Sequence, residues 1–331
     1  MQFSKRKVWA ALMAGSVMPF SAHASNTEEA YPVKRVTIVV GFSQGGGVDI
    51  LSRQIAKELE LELGVSVIVE NRPGATSNIA AEHVAASTAD GYTLFVSSRS
   101  NATYGALQEQ PRYDLRKDLR SVGLMAKVPN VVIAGRHTKI STAEEMVAFA
   151  KAHPQSLRCA SSGVGSTGHL LCEEFQQEAK VEMVHVPYTY SDQAFTHILG
   201  GHVDAIFISL PAALPYIRAG AVQAIAIAGN ERAPSAPGIP TFQEEGFGNI
   251  HGESWFGLMV PAATPQKVVQ KLNASLNRVL SRRQLREQLL GLGYVLPPQA
   301  NSSDAFEQLM LEETAHWSDL ITERRIAPAS H

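Results

Sequence analysis

Between residues 36 and 63 the period of the hydrophobic pattern changes. Val36, Ile38, Val39 and Val40 form a short apolar run, Phe42-Ser43-Gln44-Gly45-Gly46-Gly47 interrupts it, and apolar residues then recur at helical spacing through Ile50, Leu51, Ile55 and Leu59. This predicts a strand, a glycine loop and a helix from Val48 to Leu63. The alternation continues with VSVIVENRPG before a helix from Asn78 to Ala86, and with GYTLFVSS before a polar loop from Arg99 to Thr103. A second series runs through NVVIAG, a helix from Ala143 to Lys151, LRCASSG, a helix from His169 to Glu178, EMVHVPY, a helix from Asp192 to Leu199, VDAIFISL and VQAIAIAG. After a proline-rich stretch, Ala233 to Pro240, SWFGLMVPAATP reads as a strand, and helices at Gln266 to Leu280, Arg283 to Leu290 and Ser303 to Ile321 close the chain. Strand and helix alternating in this way give an α/β fold, with mainly parallel sheets flanked by helices and ligand sites at the carboxyl ends of the strands. Two series predict two lobes: residues 30–127 plus 253–331, and residues 128–252. The chain then crosses near Lys127 to Asn130 and again near Ile250 to Ser254, and two crossings make a hinge.

The 331 residues, 45% hydrophobic and 18% charged with a formal net charge of −2, suit a soluble globular protein. Beyond the extreme N-terminus no block of Lys and Arg concentrates positive potential, which argues against a nucleic-acid partner. The first residues combine Lys5, Arg6 and Lys7 with an apolar segment from Val8 to Phe20 and Ala22-His23-Ala24. That is the pattern of a secretory signal peptide, residues 1–24, and it predicts a mature chain beginning near Ser25 in an exported compartment. There, Cys159 and Cys172, the only cysteines, are open to a disulfide or to burial as two free thiols.

The opening glycine loop presents unpaired amide N–H groups and the positive end of a helix dipole, a cradle for an anion. It lacks the Gly-Lys-Ser/Thr ending of a P-loop, and the G-x-G-x-x-G spacing fails because Ile50 follows Asp49. CASSGVGSTGHLLCEEF repeats the design, with Ser161, Ser162, Ser166 and Thr167 adding hydroxyl donors before a second helix start. Two such loops, one in each lobe, suit a carboxylate held across a cleft. An exported serine hydrolase using Ser162 or Ser166 with His169 is the alternative, though neither serine sits in a G-x-S-x-G elbow. The 11 histidines are scattered without metal-ligand spacing. Three further loops fall at strand ends: Ser97-Ser98-Arg99-Ser100-Asn101, Pro187 to Tyr190, and Ser209-Leu210-Pro211. Arg99 is a candidate to hold a second carboxylate bidentately, or else a solvated loop residue.

Taken in order, YPVKRVTIVVGFSQGGGVDILSR, VIVENRPGATSNIAAEHVAASTADGYTL, YDLRKDLRSVGLMAKVPNVV, CASSGVGSTGHL, HVPYTYSDQAFTHILGGHVDAIF, GIPTFQEEGF and WFGLMVPAATP resemble the Bug/TctC family of periplasmic solute-binding receptors, which serve tripartite tricarboxylate transporters. The resemblance spans Tyr31 to about Ile326. It implies a two-lobed type II periplasmic-binding-protein fold with a ligand cleft between the lobes, and a monomer with no enzymatic activity, cofactor or metal. The implied ligand is a small organic anion: a mono- or dicarboxylate, an amino acid or an aromatic acid. The implied partners are the membrane subunits of the transporter or a sensor protein; a sensory or partner-binding module on the same fold is a further alternative. Carried across, the binding residues are Phe42, Ser43, Gln44, Gly45 and Gly46 from the first loop and Ser162, Gly163, Gly165, Ser166 and Thr167 from the second. Ser97, Ser98, Arg99, Ser100, Asn101, Tyr188 and Ser209 line the remainder, and Asp49 is expected to organise the loop and helix start. The chain departs from the family pattern at Ser43-Gln44, where two prolines are usual, at Thr189-Tyr190, where Lys-Gly is common, at Ile208-Ser209, where an Asp-Asn-like pair is frequent, and at Arg99. The identity of the ligand therefore does not follow by analogy.

Overall fold

Residues 36–40 form the first strand for the reason the pattern gives: four of the five side chains are buried, as in a strand covered on both faces. In the computed structural model the described residues are 1, 31–108, 110–188, 191–229, 231–248, 250, 252–297 and 301–326. The leader beyond Met1, and Thr189-Tyr190, lie outside them. Residues from Pro32 onward pack as one unit. Its strands are β1 (Val36–Val40), β2 (Val67–Asn71), β3 (Thr93–Ser98), β4 (Leu119–Val128), β5 (Asn130–Gly135), β6 (Arg158–Ser161), β7 (Val184–Pro187), β8 (Ala205–Ser209), β9 (Val222–Ala228) and β10 (Ser254–Pro261). Its α-helices are α1 (Gly47–Leu63), α2 (Asn78–Ala85), α3 (Arg99–Ala102), α4 (Tyr104–Leu107), α5 (Ala143–Ala152), α6 (Thr167–Ala179), α7 (Ser191–Leu199), α8 (Leu210–Arg218), α9 (Gln266–Ser281), α10 (Arg283–Gly291) and α11 (Ser303–Glu323).

The strands form two five-stranded sheets, ordered β2-β1-β3-β10-β4 and β7-β6-β8-β5-β9. Both are mixed rather than mainly parallel. Pairings within β2-β1-β3 and β7-β6-β8 are parallel, while β10 and β5 run antiparallel to both of their neighbours. The reason is topological. β5 and β10 are the strands on which the chain arrives from the other lobe, so they start beside the cavity and run away from it, whereas β1, β3, β6 and β8 end there.

The strand β4 and the helix α8 were not legible in the periodicity. In α8 the prolines of Leu-Pro-Ala-Ala-Leu-Pro mask a helix that places Pro211 in its first turn, where no N–H is required, and carries Pro215 inside. The segment from Arg99 to Thr103, expected as a polar loop, opens with α3. The first lobe packs Val39, Phe95, Trp255, Phe306 and Met310 together. The second lobe has one core on each sheet face, one around Phe175 and Phe207, the other around Ile133, Ile206 and Leu214. Helix α11 serves both lobes: Phe306 and Met310 join the first core, while Trp317, Leu320 and Ile321 join the core around Cys172 and Phe175. At 21 residues it spans about 30 Å, longer than one lobe needs. Cys159 and Cys172 are free and buried; no bridge joins them.

Candidate ligand site between the two sheets

The glycine loop between β1 and α1 is held from below. Asp49, 2% exposed, accepts the Gly45 amide at 2.9 Å and the Arg53 Nε at 2.9 Å on one oxygen, and Asn71 Nδ2 at 2.9 Å on the other. Asn71 also donates to the Phe42 carbonyl at 3.0 Å. Burial pushes the Asp49 carboxyl up, but the hydrogen bonds from Arg53, Gly45 and Asn71, with the Arg53 charge, outweigh it and hold the pKa below the ordinary carboxylate range. Gly45 takes a φ of +82°, which a side chain would strain. Tyr294 donates its hydroxyl to the Gly47 carbonyl. Asp49 thus organises the loop and the helix start.

The second loop is built differently. Ser166 caps α6, its Oγ accepting the His169 amide at 3.3 Å, and the Gly165 amide donates to His169 Nδ1 at 3.1 Å. The His169 ring stacks on His185 with centroids 3.8 Å apart, and His185 Nε2 meets Ser161 Oγ at 2.6 Å. Burial lowers His169 to about 4. Burial, with the His169 charge adding to it and Glu173 opposing, lowers His185 to about 3. Both rings are therefore neutral near pH 7.

The two loops face one cavity of about 320 Å³. Three helix N-termini from different strand ends, those of α1, α6 and α8, border it through Gly45 to Val48, Ser166 to Gly168, and Ser209. Of the residues named from the sequence, Phe42, Ser43, Gln44, Gly45, Gly46, Ser98, Ser100, Ser162, Ser166, Thr167 and Ser209 line it. The remainder lie elsewhere. Ser97 is fully buried and donates to the Gly257 carbonyl at 3.1 Å. Asn101 accepts the Ser98 amide at 2.9 Å and donates to Asn78 at 3.1 Å, a structural cap. Tyr188 turns its hydroxyl to His197 Nδ1 at 2.7 Å. Gly163 and Gly165 take φ of +115° and +75° and shape the loop without lining the cavity. Gly163 faces Thr76 of the other lobe, since a Cβ there would lie 3.3 Å from Thr76 Oγ1.

Arg99 is neither a cleft residue nor solvated. It is 1% exposed, pairs its Nε with Glu313 at 2.9 Å, donates to the Glu253 carbonyl, and stacks over the Trp317 ring. Nothing in the local sequence around Arg99 reveals its partners on α11, more than two hundred residues away.

The cavity also takes residues that the sequence did not single out: Thr76, Asn130, Ser254, Phe195, Tyr216 and Phe256 among them. Asn130 and Ser254 sit at the two lobe crossings and hydrogen-bond each other at 2.8 Å; polar residues at the predicted crossings were a usable signal. Phe195, Ala212 and Tyr216 lie on α7 and α8. Two of them were hidden with α8. Thr76 belongs to a run, Ala75, Thr76 and Ser77, with φ of 44°, 53° and 77°, a strained turn at the cavity wall. The alternative pairing of Ser166 with His169 is not formed, because His169 Nδ1 accepts the Gly165 amide and the Ser166 hydroxyl meets the His169 backbone, not its ring.

Two α/β lobes linked by crossing strands, with amides and hydroxyls from both converging on one cavity, define a two-lobed solute-binding protein. Residues 51–326 match the family model described as tripartite tricarboxylate transporter family receptor, and the chain belongs to that family, as its motifs imply. It is 32% identical over 312 residues to protein BugT of Bordetella pertussis, covering 94% of this chain and 93% of BugT. Among solved structures it is similar to MatC from Rhodopseudomonas palustris with bound malate, at 32% identity and a TM-score of 0.82, covering 88% of this chain and 100% of MatC. It is also similar to a second Rhodopseudomonas palustris protein, solved with adipate, at 30% identity and a TM-score of 0.85, covering 90% of this chain and 99% of the other.

Proposed function

We propose that this receptor captures a small organic carboxylate in the cavity between its lobes and delivers it to the membrane subunits of a tripartite tricarboxylate-type transporter or to a sensor protein. The observation that carries the reading is the convergence of the α1, α6 and α8 N-termini, with hydroxyls from Ser43, Ser162, Ser166, Thr167 and Ser209, on one cavity. Aligned N–H groups and dipoles favour a negative group in front of them. The relatives solved with malate and adipate support a carboxylate as that group. A ligand that touches both lobes favours the closed form, so capture is a shift of an open–closed equilibrium and no bond is made or broken. The signal pattern of residues 1–24 and the family support the reading of a periplasmic receptor, which we propose acts as a monomer without metal or cofactor.

The test is a thermal-shift titration of the purified chain against carboxylates and uncharged solutes of matched size. At least one carboxylate raises the melting temperature, and the rise grows with the logarithm of its concentration above the dissociation constant; a response to uncharged solutes alone refutes the reading.

A further inference from the structure

Gly163 and Gly165, the two left-handed glycines of the second loop, do not line the cavity. Each instead faces a residue from the other lobe. A Cβ on Gly163 would lie 3.3 Å from Thr76 Oγ1, and one on Gly165 would lie 2.1 Å from Leu107 Cδ1, closer than unbonded carbons approach. The bare Cα of Gly165 is therefore a socket, and the side chain seated in it is Leu107.

Leu107 ends α4, on the chain between β3 and β4 of the first sheet. Gly105 and Ala106 before it are exposed, whereas Leu107 is 7% exposed and joins the second-lobe core around Phe175 and Phe207. Its base is fixed to the first lobe. The Leu107 amide donates to the Thr103 carbonyl at 3.3 Å, the buried Thr103 hydroxyl donates to the Arg99 carbonyl at 3.2 Å, and Tyr104 stacks on Tyr113 with ring centroids 5.0 Å apart. An apolar side chain carried by one lobe and buried in the other is covered only while the lobes are together, and separation returns it to water.

Gly165 is also held by His169, whose Nδ1 accepts its amide at 3.1 Å. Ser166 follows, caps α6, and with Thr167 and Gly168 lines the cavity. Leu107 is not among the lining residues; it reaches the site through Gly165.

We propose that Leu107 is an interlobe latch, a positioning residue that stabilises the closed form and holds the α6 N-terminus against the solute in the cavity. This rests on the reading above only in that a solute is captured between the lobes, and it is indifferent to the charge of that solute. Losing the latch lowers the population of the binding-competent form, so it weakens every ligand by one common factor.

Isothermal titration of the full mature chain, Leu107→Ala and Leu107→Met with malate, adipate, benzoate and glucose tests it. Each solute that binds the natural chain should bind Leu107→Ala more weakly by the same factor, on the order of tenfold, and dissociate faster in stopped flow. Leu107→Met, close in volume, should regain most of the loss. Hydrogen exchange without added solute reads the same contact: residues 161–170 should exchange faster in Leu107→Ala while β8 keeps its protection. Unchanged exchange in 161–170, unchanged affinity, or losses that differ tenfold from one solute to another overturn the latch and leave the carboxylate reading standing. Binding of glucose alone, weakened in Leu107→Ala and restored in Leu107→Met, keeps the latch and overturns the carboxylate reading.

Discussion

The Arg99 guanidinium lies 4.3 Å over the Trp317 ring, joining the start of α3 in the first lobe to the half of α11 that packs on the second. Glu313 accepts from both residues, from Arg99 Nε at 2.9 Å and from Trp317 Nε1 at 3.0 Å. A residue that looks from the sequence like a ligand contact is thus a structural tie. Arg99→Ala should cost about 3–5 kcal/mol in stability, the scale for breaking a buried ion pair. Urea unfolding checks this. Ligand affinity measured well below the unfolding transition should change little, and a large affinity loss at unchanged stability would return Arg99 to the binding site.

Asp49 acts on the first loop through three donors, so its loss should be felt in binding. In Asp49→Asn, one carboxylate oxygen becomes an N–H₂ facing donors from Arg53, Gly45 or Asn71. We expect about 1–3 kcal/mol lost in stability and weaker carboxylate binding, read by titration calorimetry. Because the Asp49 pKa is held down in the folded state, its contribution is present above the ordinary carboxylate range and disappears as pH falls through the lowered value. The Asn variant should lack that acid-side loss.

The stacked pair His169 and His185 makes its own pH dependence. Folded values of about 4 and about 3, against an ordinary 6.5, mean that between these limits the unfolded chain binds protons which the folded chain refuses. Stability should therefore fall as pH drops from about 6.5 toward 3, with no further loss from this source below that. His316, beside Glu174, is shifted upward and works in the opposite sense, adding stability on the acid side. Urea midpoints across this range, compared between the natural chain and His185→Phe, separate the two; an identical slope in both rejects the assignment to the stack.

Ser77 carries a strained φ of 77° and a buried hydroxyl without a hydrogen-bond partner. Ser77→Gly removes both burdens and should raise stability by about 1 kcal/mol. The reverse holds at Gly41, where a Cβ would stand 2.0 Å from Ser77 Oγ and 2.5 Å from its Cα. Gly41→Ala should cost about 1–3 kcal/mol, and Ser77→Gly in that background should restore part of it. Melting curves of the three variants decide.

Cys159 and Cys172 are buried free thiols, and burial, together with a hydrogen bond that the Cys172 thiol donates to Cys159, raises Cys172 well above the ordinary thiol value. Neither should react with iodoacetamide in the folded chain. In denaturant without reductant, both should, adding two labels by mass; a mass showing none would mean a disulfide.

The local chain determined what depends on neighbours a few residues apart. The run Val36 to Val40, the glycines before α1, the Ser-Gly loop before α6, and the apolar spacing of Val269, Leu272, Leu276 and Val279 in α9 each act through backbone conformation or one buried face, so their meaning is written locally. Tertiary structure decided what depends on distant partners. It set β5 and β10 antiparallel, because a strand entering from the other lobe must start at the hinge. It buried Arg99 under α11, turned Tyr188 to His197, and put Asn130, Thr76 and Tyr216 around the cavity. Backbone periodicity is a property of the segment that carries it, but the direction of a side chain toward a cleft is fixed by which elements pack against it, and those come from opposite ends of the chain.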